Sequence, residues 1–255
     1  MGTRAMTLLG RKLPMAFSLV IWFAAWELIG RMGISTIIPP FTKVIEAGIT
    51  ILPTAKFASA AVISLRSFAI GMVLALAIGI PLGFVMARVR TVGRILAVWV
   101  NIFVSAPISA LVPILMAVIG IGEATVVVTV FLFAVFVIVL DTQIGVAHAD
   151  RSLVEMAHAF GARRYQLYTK VLILSALPEI LAGVRLGTIR GVKGVVIGQL
   201  LVAIIGVGEL FELYSQHFLM EEFWALVVVV FLFAFAVSEA IAALERRVEY
   251  YASAR

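Results

Sequence analysis

The residues able to do chemistry are few, and their arrangement excludes more than it offers. The 255-residue chain has no cysteine and three histidines, His148, His158 and His217. Disulfides, thiolate zinc sites and cysteine-held clusters are excluded, and three scattered imidazoles predict no metal centre. No G-x-S-x-G and no paired aspartates stand in an apolar run, so nucleophilic hydrolysis has no evident machinery. The phosphate-cradling pattern G-x-x-x-x-G-K-[ST] does not occur. The chain is therefore expected to hold no cofactor and no nucleotide, and not to be an enzyme.

What remains is one concentrated stretch, EMAHAFGARRYQLYTKVLIL, from Glu155 to Leu174. Leu153, Met156, Ala157 and Phe160 fall at i, i+3, i+4 and i+7, one apolar stripe of a helix. Asp150 or Ser152 can cap its start, and Ser152 to Glu155 has capping-box spacing. Gly161 predicts its end, because glycine accepts the left-handed backbone of a helix C-terminus. A second short helix is expected over about 163–171. Such a bracket is too polar to span a membrane and too apolar to float free, so it is expected to dock. The plainer reading is a surface helix that only links its neighbours.

The elements that must position this stretch are set by composition. The chain is 63% hydrophobic and 13% charged, against about half and a quarter in soluble domains. So much apolar surface needs lipid as solvent. The predicted fold is all-α and polytopic, one membrane domain over 1–255 with the bracket at about 150–172. Six spans are expected, at about 13–30, 62–87, 95–119, 124–147, 178–205 and 222–244. Ala124–Leu140 is β-branched and uncharged; a lone strand cannot satisfy its backbone in lipid, so helix is predicted. The first apolar run follows Arg4, Arg11 and Lys12 as in a signal peptide. It lacks a small-x-small cleavage site and is read as an uncleaved helix.

Thirteen basic residues fall in one set of inter-span segments and three, Arg31, Lys43 and Lys56, in the other. By the positive-inside rule both termini and the bracket are expected in the cytoplasm. Pro39-Pro40 and the following FTKVIEAGITIL predict a short amphipathic helix at the outer surface.

Glu155-Met156-Ala157, three residues, then Gly161 resembles the EAA loop of ABC importer permeases. SLRSFAIG (64–71), GIPLG (79–83), SAPISALVPIL (105–115), GIGE (120–123), SALPEILAGVRLG (175–187) and GVGE (206–209) resemble the nitrate/taurine/alkanesulfonate branch of that family. The resemblance implies a cell inner membrane permease working as a homodimer. It implies two separate ATPases holding ATP and Mg, and an extracytoplasmic solute-binding protein. It places Glu155, Met156, Ala157, Ala159, Phe160, Gly161, Ala162 and Arg163 against the ATPase. Two departures stand out: Ile173-Leu174 where the family has an LP pair, and Gln199 where the branch often has an acid. Without that proline, the helix leaving the loop is expected to run on smoothly.

Inside the spans, Pro81, Pro107 and Pro113 are expected to kink helices. Asn101, Ser105 and Ser109, spaced by four, are expected to share a face, lining a path or packing. Gly183, Gly187 and Gly191 permit close approach of another helix, as packing or as a sliding contact. Arg190 and Lys193 are three apart and share a face, while Gln199 lies nearly two turns further along. They either line the path and favour a small anion (sulfonate, carboxylate or nitrate-like), or pair with Glu123, Asp141 or Glu209. A secondary carrier driven by an ion gradient is the alternative; it needs intramembrane acids, and Asp141 is one.

Overall fold

The computed structural model describes residues 2–149, 151–202 and 204–253, and among them every regular element is helical. The helices are α1 (Gly2–Arg31), α2 (Phe41–Ile51), α3 (Ala55–Arg88), α4 (Arg90–Ser105), α5 (Val112–Ile119) and α6 (Glu123–Ala147). They continue with α7 (Arg151–Ala159), α8 (Arg164–Gln166), α9 (Ile173–Val202), α10 (Gly206–Gln216) and α11 (Met220–Ser253). Among the described residues, four stretches are long and apolar enough to cross a bilayer, α3, α6, Arg164–Val202 and Met220–Ala243, or five if the bent pair described below is one span, against the six expected. The expected first span lies within α1.

The expected single, proline-kinked span at 95–119 is corrected. Its two helices, α4 and the segment from Ile108 to Ile119, meet at a 93° bend, a broken span or a re-entrant loop. The break falls at Ala106-Pro107, where both residues are extended or turn-like and a 3₁₀ turn, Ile108–Leu111, follows. Proline cannot continue the α4 ladder, so Pro107 ends the helix rather than kinking it. Pro113 sits in the first turn of α5, where its missing N–H costs nothing. Of these three prolines, Pro81 alone lies inside a continuous helix, α3.

Two compact units divide the chain. One comprises residues 1–58 and 210–230, the other 59–209 and 231–255. In the first, α2 follows Pro39-Pro40. Proline at the N-cap offers no side-chain acceptor; Glu27 of α1 instead accepts the Thr42 backbone N–H at 2.9 Å. The Trp26 and Trp224 indoles donate to the Pro39 and Ile37 carbonyls at 3.1 and 2.8 Å, which pins the loop before α2. Val44 and Ile51 form the buried side of α2, matching the amphipathic pattern.

In the second unit, α6 lies between two glycine-bearing faces. Gly71, Ala75, Gly79 and Gly83 of α3 are spaced by four and buried. A methyl built at Gly71, Gly79 or Gly83 would press on Val130, Ile138 or Val139 and Thr142 of α6. From the other side, Gly183, Gly187, Gly194 and Gly198 of α9 meet Asp141, Ile138, Phe133 and Thr129 of α6. Gly191 faces Met72 and Phe68 of α3. The glycine repeat thus serves close packing within this chain. In lipid, where no hydrophobic drive separates helix from tail, such backbone approach supplies the attraction. It also explains the β-branched α6: Val126, Val130, Ile138 and Val139 are fully buried, their rigid side chains filling the gaps glycine leaves.

Candidate coupling site

The bracket begins with α7. Phe160 ends it, and Gly161 adopts φ +72°, open to the left-handed region that glycine tolerates. The Gly161 N–H donates to the His158 carbonyl and the Ala162 N–H to the Ala157 carbonyl, each at 2.9 Å. That pair of bonds is a Schellman motif. The chain then reverses, and the Gln166 amide oxygen accepts the Arg163 backbone N–H at 2.9 Å, starting α8. The expected cap Asp150 lies outside the described residues, and Ser152 falls within α7 rather than before it.

Ala157, Leu167 and Leu172 close a small core, with Phe84, Val154, Ala162, Tyr168 and Val171 around it. The predicted stripe is therefore divided. Ala157 turns inward, while Leu153, Met156 and Phe160 stay exposed, Phe160 at 85%. Glu155, Ala159 and Arg163 are exposed as well. The bracket is folded on its inner side and apolar on its outer side.

The second helix does not stop. After α8 come one wide π-helical turn, Leu167–Leu172, and α9 without interruption, so that Arg164–Val202 is one helical rod. Leu174 is exposed where a proline was expected, and Pro178 is accommodated inside α9.

The expected path residues are not brought together. Asn101 and Ser105 are exposed on α4, but the bend removes Ser109 from their face. Gln199 is corrected most clearly. It is 1% exposed, and its amide oxygen accepts a hydrogen bond from the Ser64 hydroxyl at 2.8 Å. The same hydroxyl accepts the Val207 N–H at 3.0 Å. Gly206 and Gly208 press so closely on Gln199 that a Cβ at either would overlap it. Gln199 holds the GVGE turn in place instead of facing a path. Lys193 is exposed and Arg190 half-buried.

Of the acids offered as their partners, Glu123 is engaged elsewhere. It takes a two-point contact from Arg66, with Arg66 Nε at 2.8 Å, and a hydroxyl hydrogen bond from Ser67 at 3.3 Å. Glu209 is exposed. Asp141 and Arg190 form no ion pair among the described residues, and the buried Asp141 Oδ2 has no hydrogen-bond partner there. The segment SLRS (64–67) thus anchors both G-x-G-E turns, GIGE through Arg66 and Ser67, GVGE through Ser64. Sequence reasoning named these pieces but gave them no role. Ser64 and Gln199 stand 135 positions apart, and no local pattern links them.

Long apolar helices, a broken span and a folded bracket with a bare apolar face define a membrane protein built to work with others. Residues 79–250 match the model of the binding-protein-dependent transport system inner membrane component, and the chain belongs to that family. A probable ABC transporter permease protein of Brucella melitensis is 30% identical over 75% of this chain and 77% of its own. The taurine transport system permease protein of Escherichia coli is 27% identical over 91% and 86%. A shorter match, 30% identical over 50% and 56%, is to a glycine betaine/carnitine/choline transport system permease protein of Bacillus subtilis. Among solved structures, the inward-facing MetNI methionine ABC transporter has a similar fold, with TM-score 0.65 and 20% identity. That match covers 75% of this chain and 95% of the other. The protein is an inner-membrane, multi-pass permease component of an ABC importer.

Proposed function

We propose that two copies of this chain form the membrane path of an importer whose energy enters through the bracket at about 150–172. The partner at that bracket is a separate ATPase that holds ATP and Mg. An extracytoplasmic binding protein delivers the solute, and both termini and the bracket lie in the cytoplasm, as the basic residues in short segments favour. One observation carries the coupling: Leu153, Met156 and Phe160 form an exposed apolar face on a helix whose end is fixed by the Gly161 turn. Apolar residues on a rigid polar-flanked element are what a groove in a partner takes up. Glu155 and Arg163 flank that face and would supply its polar rim.

The solute proposed is a small anion such as a sulfonate or carboxylate. Lys193 and Arg190 support it: they stand one turn apart on α9, and neither forms an ion pair among the described residues. Asp141 is what an ion-gradient-driven carrier would use, but family membership favours ATP as the energy source. The coupling is tested by co-expressing the chain with its ATPase and measuring co-purification from detergent extracts. Phe160→Ser is expected to lower ATPase recovery at least tenfold while the permease stays in the membrane at its usual level. Undiminished recovery would reduce the bracket to a linker.

A further inference from the structure

The cations at the bracket end of the helices are placed in a way the coupling role does not use. α3 ends at Arg88, and its guanidinium carbon lies 5.6 Å from the centroid of the Tyr168 ring. Phe84, one turn earlier on α3, meets the same ring edge to face at 5.8 Å and 89°. Tyr168 follows Arg164 by four residues, so both stand on one side of the helical rod that begins at Arg164. The ring therefore carries Arg88 on its face, with Arg164 one turn before it on the same helical element. Arg90, at the start of α4, follows Arg88 across the extended Val89. All three are exposed. Among the described residues, none of the three forms an ion pair with a carboxylate.

Exposed like charges with no carboxylate among them leave a local positive potential that an anion can occupy. Two further features say what kind of anion. The arginines stand where membrane-length helices begin and end, α3 at Arg88 and the rod at Arg164. Beside them the helix surfaces are apolar and bare: Val85 on α3, and Ile173 and Leu174 on α9, are each 38–50% exposed. A phosphate head against the arginines with acyl chains along Val85, Ile173 and Leu174 fits both. Tyr168, with its apolar ring and polar tip, is the residue type found at that depth.

We propose that Arg88 on the Tyr168 ring, with Arg90 two residues on and Arg164 one turn before that tyrosine, forms a binding site for the headgroup of an anionic phospholipid. Basic pockets between membrane helices take such headgroups. An acidic surface on a protein partner is the competing occupant. It is disfavoured because Arg88 and Phe84 belong to a membrane-length helix, whereas the bare apolar face of the bracket is on α7. The proposal rests on membrane insertion alone and survives if the coupling role of α7 fails.

The test is native mass spectrometry of the full chain in detergent, with phosphatidylglycerol or phosphatidylcholine of identical acyl chains added. The chain is expected to retain phosphatidylglycerol preferentially. The double variant Arg88→Gln with Arg164→Gln should weaken phosphatidylglycerol binding about thirtyfold and leave phosphatidylcholine binding unchanged. Excess inorganic phosphate should displace little of the lipid, since it cannot occupy the apolar surface. Equal retention of the two lipids would overturn the proposal, as would full displacement by phosphate. So would a double variant that loses its ATPase partner while keeping phosphatidylglycerol, because the arginines would then belong to a protein interface. If the double variant is recovered poorly, Leu174→Gln offers a second reading. It should weaken both lipids while keeping the preference between them, and loss of the preference alone would count against the site.

Discussion

Replacing Gly161 separates the bracket's shape from its contacts. Gly161 sits at φ +72°, and a Cβ built there would meet no atom within 4 Å. Substitution therefore acts through the backbone alone. An ordinary L-residue in the left-handed region costs about 1–2 kcal/mol, and a β-branched one more. If the chain escapes that strain, it gives up the bonds from Gly161 to His158 and from Ala162 to Ala157, each contributing about 0.5–1.5 kcal/mol. Either route lowers the population of the formed turn by roughly 5–30-fold for Gly161→Ala, and further for Gly161→Val. Asparagine visits this region readily, so Gly161→Asn should stay close to the native chain. The assay is ATPase co-purification and ATP-driven uptake, normalised to the permease in the membrane. The order expected is glycine, asparagine, alanine, valine, from strongest to weakest. If asparagine and valine behave alike, the backbone argument is wrong, and a contact at that surface must replace it.

Gly83→Ala should lower the thermal stability of the detergent-solubilised chain by about 1–3 kcal/mol, because the new methyl would lie 2.5 Å from the Val139 carbonyl oxygen. Gly48→Ala is its control: the nearest atom is at 3.8 Å, so a gain of up to about 1 kcal/mol from helix propensity is expected, and equal losses in both would refute the packing account. Lys193→Met, at an exposed position, should keep normal protein levels and slow uptake of an anionic solute severalfold; unchanged uptake would remove the anion proposal. If Arg190 offsets the buried Asp141 carboxylate, Arg190→Met should reduce protein level and Asp141→Asn in the same chain should restore it; an unchanged level in Arg190→Met would refute that pairing.

What could be read without coordinates was whatever lies close along the chain. Gly161 marks its own turn because the capping bonds span five residues. The runs around α3, α6 and α9 declare themselves because lipid leaves the backbone no alternative to helix. The smooth exit from the bracket also followed from a local fact, leucine at 174 where proline was expected. The misreadings came from distance. Ser105 and Ser109 have the spacing of one face only if the helix continues, and Pro107 stops it. Gln199 looked available to a path because nothing near it reveals the Ser64 hydroxyl and the GVGE turn that enclose it. Glu123 looked like a partner for α9, but the better geometry belongs to Arg66, 57 positions away.

The unbroken course from Arg164 to Val202 has a mechanical meaning. Its 39 residues make a rod about 58 Å long at 1.5 Å per residue. A proline break near Leu174 would have placed a joint within the first third of that length, and a push at the bracket would be absorbed there. Under the proposed coupling, the rod, continuous through Pro178, would work as a lever with a long arm. A tilt of about 5° about the Arg164 end displaces the Val202 end by about 5 Å over that length. Glycine at 183, 187, 194 and 198 packs the arm closely on α6, so under that coupling the two helices would move together. Stiffness of this kind trades compliance for stroke. The π-helical turn at Leu167–Leu172 stands at the bracket end of that arm, where such a lever would take its load.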